Sequence, residues 1–321
     1  MITVGSFTNE AFDRIRECLA QLRNFTISAG PLNKIIGERS QLNSALDLVE
    51  DTAIAMASYL RVQFPHDEGE KYLLLCGLIQ VLYLQQDGLR NILEALNMPW
   101  NCPPDMREIR EIRNDAFGHP SKRRSKKGEP HTFHFLGPCN ISNANFEIMS
   151  TKPDGPDREF RKYNAIDLVK RQAFDVVRIL EGVIAEIKKQ ELKHRSKFRK
   201  MKLLDLFPQT MDYHFEKLHQ GIDHEEQNYR ELGKSNLDKI VETYSRFKSE
   251  LEKRGEFPAN TDFLEMIMYP LEKLVAYFDD PNASGLNKRD AMFLAMSAWD
   301  RHRQAIERAK TIDDDYEERP E

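Results

Sequence analysis

The sequence predicts an all-α protein, a helical bundle with a small β-hairpin insert and a helical C-terminal extension. Three observations carry that reading. Apolar residues recur at three- and four-residue steps through most of the 321 residues, the period of a helix that buries one face. Fifteen Gly and fifteen Pro are too few for the turn-dense chain of a β-sandwich or barrel. One stretch, near residues 131–150, changes to a two-residue period. The length suggests two domains, or one with an extension. The boundaries read from it are 1–204 for the bundle, 205–312 for a helical C-terminal region, and 313–321 for an acidic tail expected to be disordered.

The elements follow in order. Phe12, Ile15, Leu19 and Leu22 mark a short amphipathic helix over 7–25. Leu42, Leu46, Val49, Ala53, Met56 and Leu60 form a stripe along a helix over 38–64, which should pack lengthwise on another helix. Residues 68–96 form the most apolar helix, with a first half apolar on almost every side, so it should be buried all round. Its polar exceptions are Gln80, Gln85, Gln86 and Asp87. A buried amide or carboxylate needs a partner, so these either satisfy hydrogen bonds in the core or face a site. The Pro99–Pro104 stretch breaks this helix. A motif helix over 105–119 follows, with Met106, Ile109, Ile112 and Ala116 on its apolar side and Gly118 and Pro120 ending it.

Residues 121–130 read as a basic loop, His131–Leu136 and Asn145–Ser150 as the strands of the hairpin, and 151–162 as loop. A long helix spans about 164–203, apolar early and basic late. Further helices are expected near 209–230, 234–253, 261–278 and 287–309.

Composition narrows the function. With 40% hydrophobic and 31% charged residues the chain is neither disordered nor membrane-spanning. Its longest apolar run, Leu73–Leu84, contains Gly77 and Gln80 and is too short for a bilayer. Cys18, Cys76, Cys102 and Cys139 show no C-x-x-C spacing, which argues against a zinc or redox pair and for a reducing compartment. Asp13, Arg14, Arg16 and Glu17 interrupt any signal-peptide core, so the expected location is cytoplasmic. A net charge of −5 excludes a uniformly basic nucleic-acid coat protein. The charge is uneven, however: residues 107–127 carry net +5 and residues 185–202 net +6. Two basic islands in an acidic chain suit a polyanion, or are simply solvated faces.

The chemistry concentrates in residues 106–127, MREIREIRNDAFGHPSKRRSKK. Arg113, Asn114 and His119 fall at the end of a helix, directly before Lys122, Arg123, Arg124, Lys126 and Lys127. A guanidinium can clamp two phosphate oxygens at once. An imidazole near neutral pKa can move a proton, and a helix C-terminus favours its charged form. Asn114 can donate to an oxyanion or orient the histidine. Asp115, four residues before His119, could pair with the imidazolium and fix its orientation. On a regular helix Arg113 and His119 point about 120° apart. Either the terminus unwinds at Gly118 and Pro120, or two copies of the motif supply complementary groups. A third arrangement has Arg113, Asp115 and His119 as a helix-capping salt-bridge set with no chemistry.

The run Arg113-Asn114-Asp115-Ala116-Phe117-Gly118-His119 resembles the hallmark of the HEPN family: Arg, a polar residue, about four more, then His, at a helix end in an all-α bundle. The buried helix over 68–96, with its amides and Asp87, is similar to the helix preceding the motif helix in that family, and the helix after 164 is similar to the third of its bundle. The resemblance covers roughly residues 68–203 and leaves 205–321 unexplained. It implies a metal-independent endoribonuclease with no cofactor, in which the RNA 2′-hydroxyl attacks the adjacent phosphodiester to leave a 2′,3′-cyclic phosphate and a 5′-hydroxyl. Arg113 would stabilise the phosphorane, His119 would act as base or acid or position the phosphate, and Asn114 would assist. Lys122, Arg123, Arg124, Lys126 and Lys127 would hold RNA, with Asp87 and Asp115 in support. The resemblance further implies a homodimer, a toxin or antiviral-defence role, and room for an antitoxin or defence-system partner. The alternatives are a non-catalytic HEPN dimerisation module that binds RNA or nucleotide, and a plain helical interaction protein. Family members paired with a nucleotidyltransferase often carry Tyr two residues after the His, where this chain has Ser121.

Other constellations are weaker. His131 and His134, three apart on a strand near Cys139, point to opposite faces and should not share a metal. His214, His219 and His224 recur every five residues, about 140° out of phase on a helix. Glu216 and His219 make a lone E-x-x-H where a di-metal bundle needs a second copy. The basic run over 188–202 could grip phosphates or complement its own helix dipole. No P-loop, G-x-G-x-x-G, H-E-x-x-H or G-x-S-x-G occurs.

Overall fold

The computed structural model describes residues 4–27, 36–118, 120, 131–142, 144–152, 158–224 and 226–317. Among the described residues it is mostly helical, with one three-stranded antiparallel sheet whose strands neighbour one another in chain order. The chain divides into two compact units, one ending at Glu186 and the other running from Ile187.

The first unit contains α1 (Val4–Ile27), α2 (Arg39–Tyr59), α3 (Glu68–Ala95), α4 (Pro104–Arg113), a π turn (Asn114–Gly118), the strands β1 (Phe133–Phe135), β2 (Asn145–Thr151) and β3 (Arg158–Asn164), and the start of α5 (Ala165–Phe198). The helices begin and end for local reasons. Asp67 accepts the Glu70 N–H at 2.9 Å and starts α3. Asn97 takes a left-handed φ of 54° and stops it, with the Met98 N–H bonding back to the Leu93 carbonyl. Asn164, the last residue of β3, accepts the Asp167 N–H at 2.9 Å, so the strand passes directly into α5. The stripe Leu42, Leu46, Val49, Ala53 and Met56 is buried, where α2 packs on α3.

The amides of α3 separate into two groups. Gln85 and Gln86 are fully buried: Gln86 Nε2 donates to Gln172 Oε1 at 2.8 Å, and Gln172 Nε2 donates to Gln85 Oε1 and to the Leu82 carbonyl. These three amides join α3 to α5 inside the core, where an unpaired amide would be costly. Gln80 and Asp87 instead face α4.

The second unit holds the end of α5, then α6 (Met211–Asp223), α7 (Gln227–Arg254), α8 (Phe257–Asp279), the single turn α9 (Pro281–Ser284) and α10 (Lys288–Glu317) around one apolar core. The α6–α7 break falls at residues 224–226, not near Gly233 as expected. Gly233 instead meets Gly221 so closely that a Cβ built on either would lie within 2.7 Å of the other's Cα. That glycine pair is a helix crossing, not a turn.

Four expectations are corrected. The boundary lies inside α5, after residue 186 and not after 204. The last turns of that helix belong to the second core, where Phe198 is buried against Tyr316; the helix turns basic from about residue 185, but its helical period runs unbroken across the change and marks no boundary. The segment read as loop over 151–162 contains most of a third strand. β3 is an edge strand with few apolar residues, and it lacks the alternation that signals a half-buried strand. The motif helix is α-helical only to Arg113 and then winds as a π turn. Residues 313–317 are the last turns of α10, with Asp313 and Tyr316 buried. Among the described residues no helix is long and apolar enough to cross a membrane.

Candidate functional site

The site is built on the antiparallel packing of α4 and its π turn along one face of α3. Tyr72, Gln80, Tyr83 and Asp87 line that face. Arg110 Nη2 donates to Asp87 Oδ1 at 2.6 Å. Burial works against the Arg110 charge, but the hydrogen bond and field of Asp87 outweigh it and raise its pKa. One turn on, Arg113 Nε donates to Gln80 Oε1 at 3.4 Å and Nη1 to Asn114 Oδ1 at 3.3 Å. Both guanidinium groups lie on the Tyr83 ring, Arg110 at 4.5 Å and Arg113 at 4.8 Å from its centroid. Past them, Phe117 meets Tyr72 edge-on at 5.7 Å.

The two arginines therefore differ in kind. Arg110 is neutralised by Asp87. Arg113 has only neutral partners among the described residues: two amide oxygens and an aromatic face. It is half-buried, so its charge is less screened than that of a surface arginine. A guanidinium in this setting favours an anion.

The π turn decides where the motif goes next. Its i→i+5 closure brings the residue five on, not four on, back over the start. Gly118 thus returns to Arg113: a Cβ built on Gly118 would lie 2.8 Å from Arg113 Nη1 and 3.3 Å from Asn114 Oδ1. The glycine leaves the space that the guanidinium fills. The helix thus departs from α-helical winding at Asn114, before Gly118. His119 lies outside the described residues, as do Lys122, Arg123, Arg124, Lys126 and Lys127.

Asp115 points the other way, into the sheet. It is 4% exposed. Arg161 Nη2, from β3, donates to its Oδ2 at 3.0 Å, and His134 Nε2, from β1, lies 3.3 Å from its Oδ1. Ser150 of β2 closes the set: its Oγ lies 2.9 Å from His134 Nδ1 and accepts from Arg161 Nη2 at 3.1 Å. The His134 N–H also bonds to the Pro120 carbonyl. The Asp115 carboxylate therefore ties the π turn to β1 and β3 directly and to β2 through Ser150.

Of the residues expected from the sequence, the structure brings Arg113, Asn114 and Asp87 together where α4 and its π turn meet α3, and sets Asp115 against the sheet. Sequence reasoning missed Tyr83, read as part of an apolar helix, although Gln80, Tyr83 and Asp87 at i, i+3 and i+7 share a face. It also missed Arg161, in the segment read as loop, and His134 was weighed only as a metal ligand. Elsewhere, two cations of the 188–202 run are engaged within the second unit, Arg195 with Glu191 at 2.8 Å and Lys202 with Glu317 at 2.7 Å. Among the described residues no cluster of three or more His, Cys, Asp or Glu could hold a metal. Compared with family models, curated proteins and solved structures, the chain matches none.

Proposed function

We propose that the first unit is a HEPN-like endoribonuclease module in which Arg113 holds the scissile phosphate of RNA. The observation that carries this reading is the half-buried Arg113 guanidinium on Tyr83, with neutral partners alone among the described residues, beside an arginine paired with a carboxylate. An anionic phosphorane would supply the missing charge through charge-assisted hydrogen bonds.

In the reaction, the 2′-hydroxyl loses its proton and its oxygen attacks the adjacent phosphorus. The P–O5′ bond breaks, and the 5′-oxygen takes up a proton, leaving a 2′,3′-cyclic phosphate. His119 serves one or both proton transfers and Asn114 orients the reacting groups. The cations over 122–127 grip flanking phosphates. A homodimer would set two such constellations face to face, and a toxin or defence role follows from the same resemblance.

The test is incubation of the purified protein with single-stranded RNA in EDTA, with Arg113→Ala and His119→Ala in parallel. Cyclic-phosphate ends that vanish in both variants are expected. Binding without cleavage in the wild-type protein would refute the enzyme reading and favour the non-catalytic RNA- or nucleotide-binding module. Neither binding nor cleavage would refute both.

A further inference from the structure

The face of the sheet opposite Asp115 carries a second feature. Strand alternation puts His134, Ser150 and Arg161 on the side of the π turn, so Phe135, Met149 and Phe160 lie on the other side. The register aligns these three directly across the sheet: Phe135 pairs with Met149, and Met149 with Phe160. Both phenylalanines are exposed, at 51% and 55%, although both stand in regular strands. Strands sit about 4.8 Å apart, so the two rings are roughly 10 Å apart with the thioether between them. Each ring then has room for its own flat partner.

The surroundings of this row are cationic and polar. On the same face, Arg158 stands one register position away, opposite Thr151, and Lys162 stands on the other side, opposite Glu147. Lys162 approaches Glu147 at 3.6 Å but keeps 82% of its side chain in solvent. Beyond it, Asn145 and Asn164 pair across the strands and line, with Asn140 and Ser142, a polar hollow of about 480 Å³. Exposed rings on a rigid sheet, with cations on both flanks, match what unpaired nucleobases and their phosphates require. Every base has a face to stack, and every linkage carries a charge. Phe133 shares this face, opposite Thr151, but is only partly exposed; the exposed apolar surface is thus the short row through Phe135 and Phe160, with Arg158 on one flank and the Glu147–Lys162 pair on the other, smaller than the continuous apolar patch a protein partner would favour.

We propose that this outer face is a stacking platform for single-stranded RNA, with Phe135 and Phe160 each holding one base and Arg158 and Lys162 on the phosphates. It rests on the preceding reading only for the choice of RNA as ligand. It gives the module a preference for unpaired substrate, because bases inside a duplex cannot reach the rings.

The test is fluorescence anisotropy of the full-length protein with a short labelled oligouridine and with a hairpin duplex of similar length. We expect tighter binding of the single strand, and a loss of roughly 5- to 100-fold for each of Phe135→Ser and Phe160→Ser. Circular dichroism on the same samples reports folding, and Phe160→Trp provides a second variant. It keeps a stacking face, should retain affinity, and the fluorescence of its new indole should be quenched by the oligonucleotide. Unchanged affinity in the folded serine variants, equal affinity for the duplex, or an unquenched indole in the Phe160→Trp variant would each overturn the platform. Cleavage is read separately with Arg113→Ala, so a platform that binds RNA without a working Arg113 site, or the reverse, is recognised as such.

Discussion

Asp313 offers a test of how the second unit is held together. The sequence places it in an acidic run, but in the structure it is 7% exposed and closes a junction. Its Oδ1 accepts the Leu203 N–H at 2.8 Å and its Oδ2 the Leu204 N–H at 2.9 Å, and Arg254 Nη1 lies 3.2 Å from Oδ1. Arg254 is 1% exposed. Asp313→Ala orphans two backbone donors and leaves a guanidinium buried without its carboxylate. Hydrogen bonds to a charged group contribute about 1.5–3 kcal/mol each, and breaking a buried pair costs about 3–5 kcal/mol. These share one carboxylate and do not add, so the expected loss is about 4 kcal/mol for Ala and about 2 kcal/mol for Asn, which keeps one acceptor. For a unit stable by about 5–15 kcal/mol that is a large fraction. The assay is urea unfolding followed by Trp299, which stacks on Phe215 inside this unit, in a Trp100→Phe background. Asp313→Asn combined with Arg254→Met should recover part of the loss, because no lone charge stays buried. A loss below about 1 kcal/mol for Asp313→Ala would refute the assignment of this carboxylate as a clasp.

Two further outcomes are expected. Gly118→Ala puts a methyl 2.8 Å from Arg113 Nη1; the flexible guanidinium should yield, so RNA affinity or cleavage should fall at least tenfold while urea stability changes by less than about 1 kcal/mol. Burial pushes the Tyr59 hydroxyl up to about 12 from an ordinary value near 10. The unfolded chain therefore loses this proton first, and the stability contributed by neutral Tyr59, present in full below pH 10, is lost as pH rises toward 12. Tyr59→Phe should flatten that decline, as measured by urea midpoints between those pH values.

What the sequence determined by itself is the set of local periods. The helices of the first unit, the two strands with apolar alternation, and the clustering of Arg113 and Asn114 at a helix end all follow from residues that interact with near neighbours along the chain. The division of α3's polar residues was not legible. Gln85 and Gln86 differ from Gln80 and Asp87 only in which neighbouring helix they meet, and that depends on how α3 is rotated in the core. The same holds for β3, whose pairing is supplied by β2 and not by its own composition, and for Asp313, whose partners lie about 60 and 110 positions away in sequence. Tertiary structure alone decided that Arg110 meets a carboxylate while Arg113, among the described residues, does not. Both guanidinium groups rest on one tyrosine, and only the register of α4 against α3 sets a carboxylate beside the first and an amide beside the second.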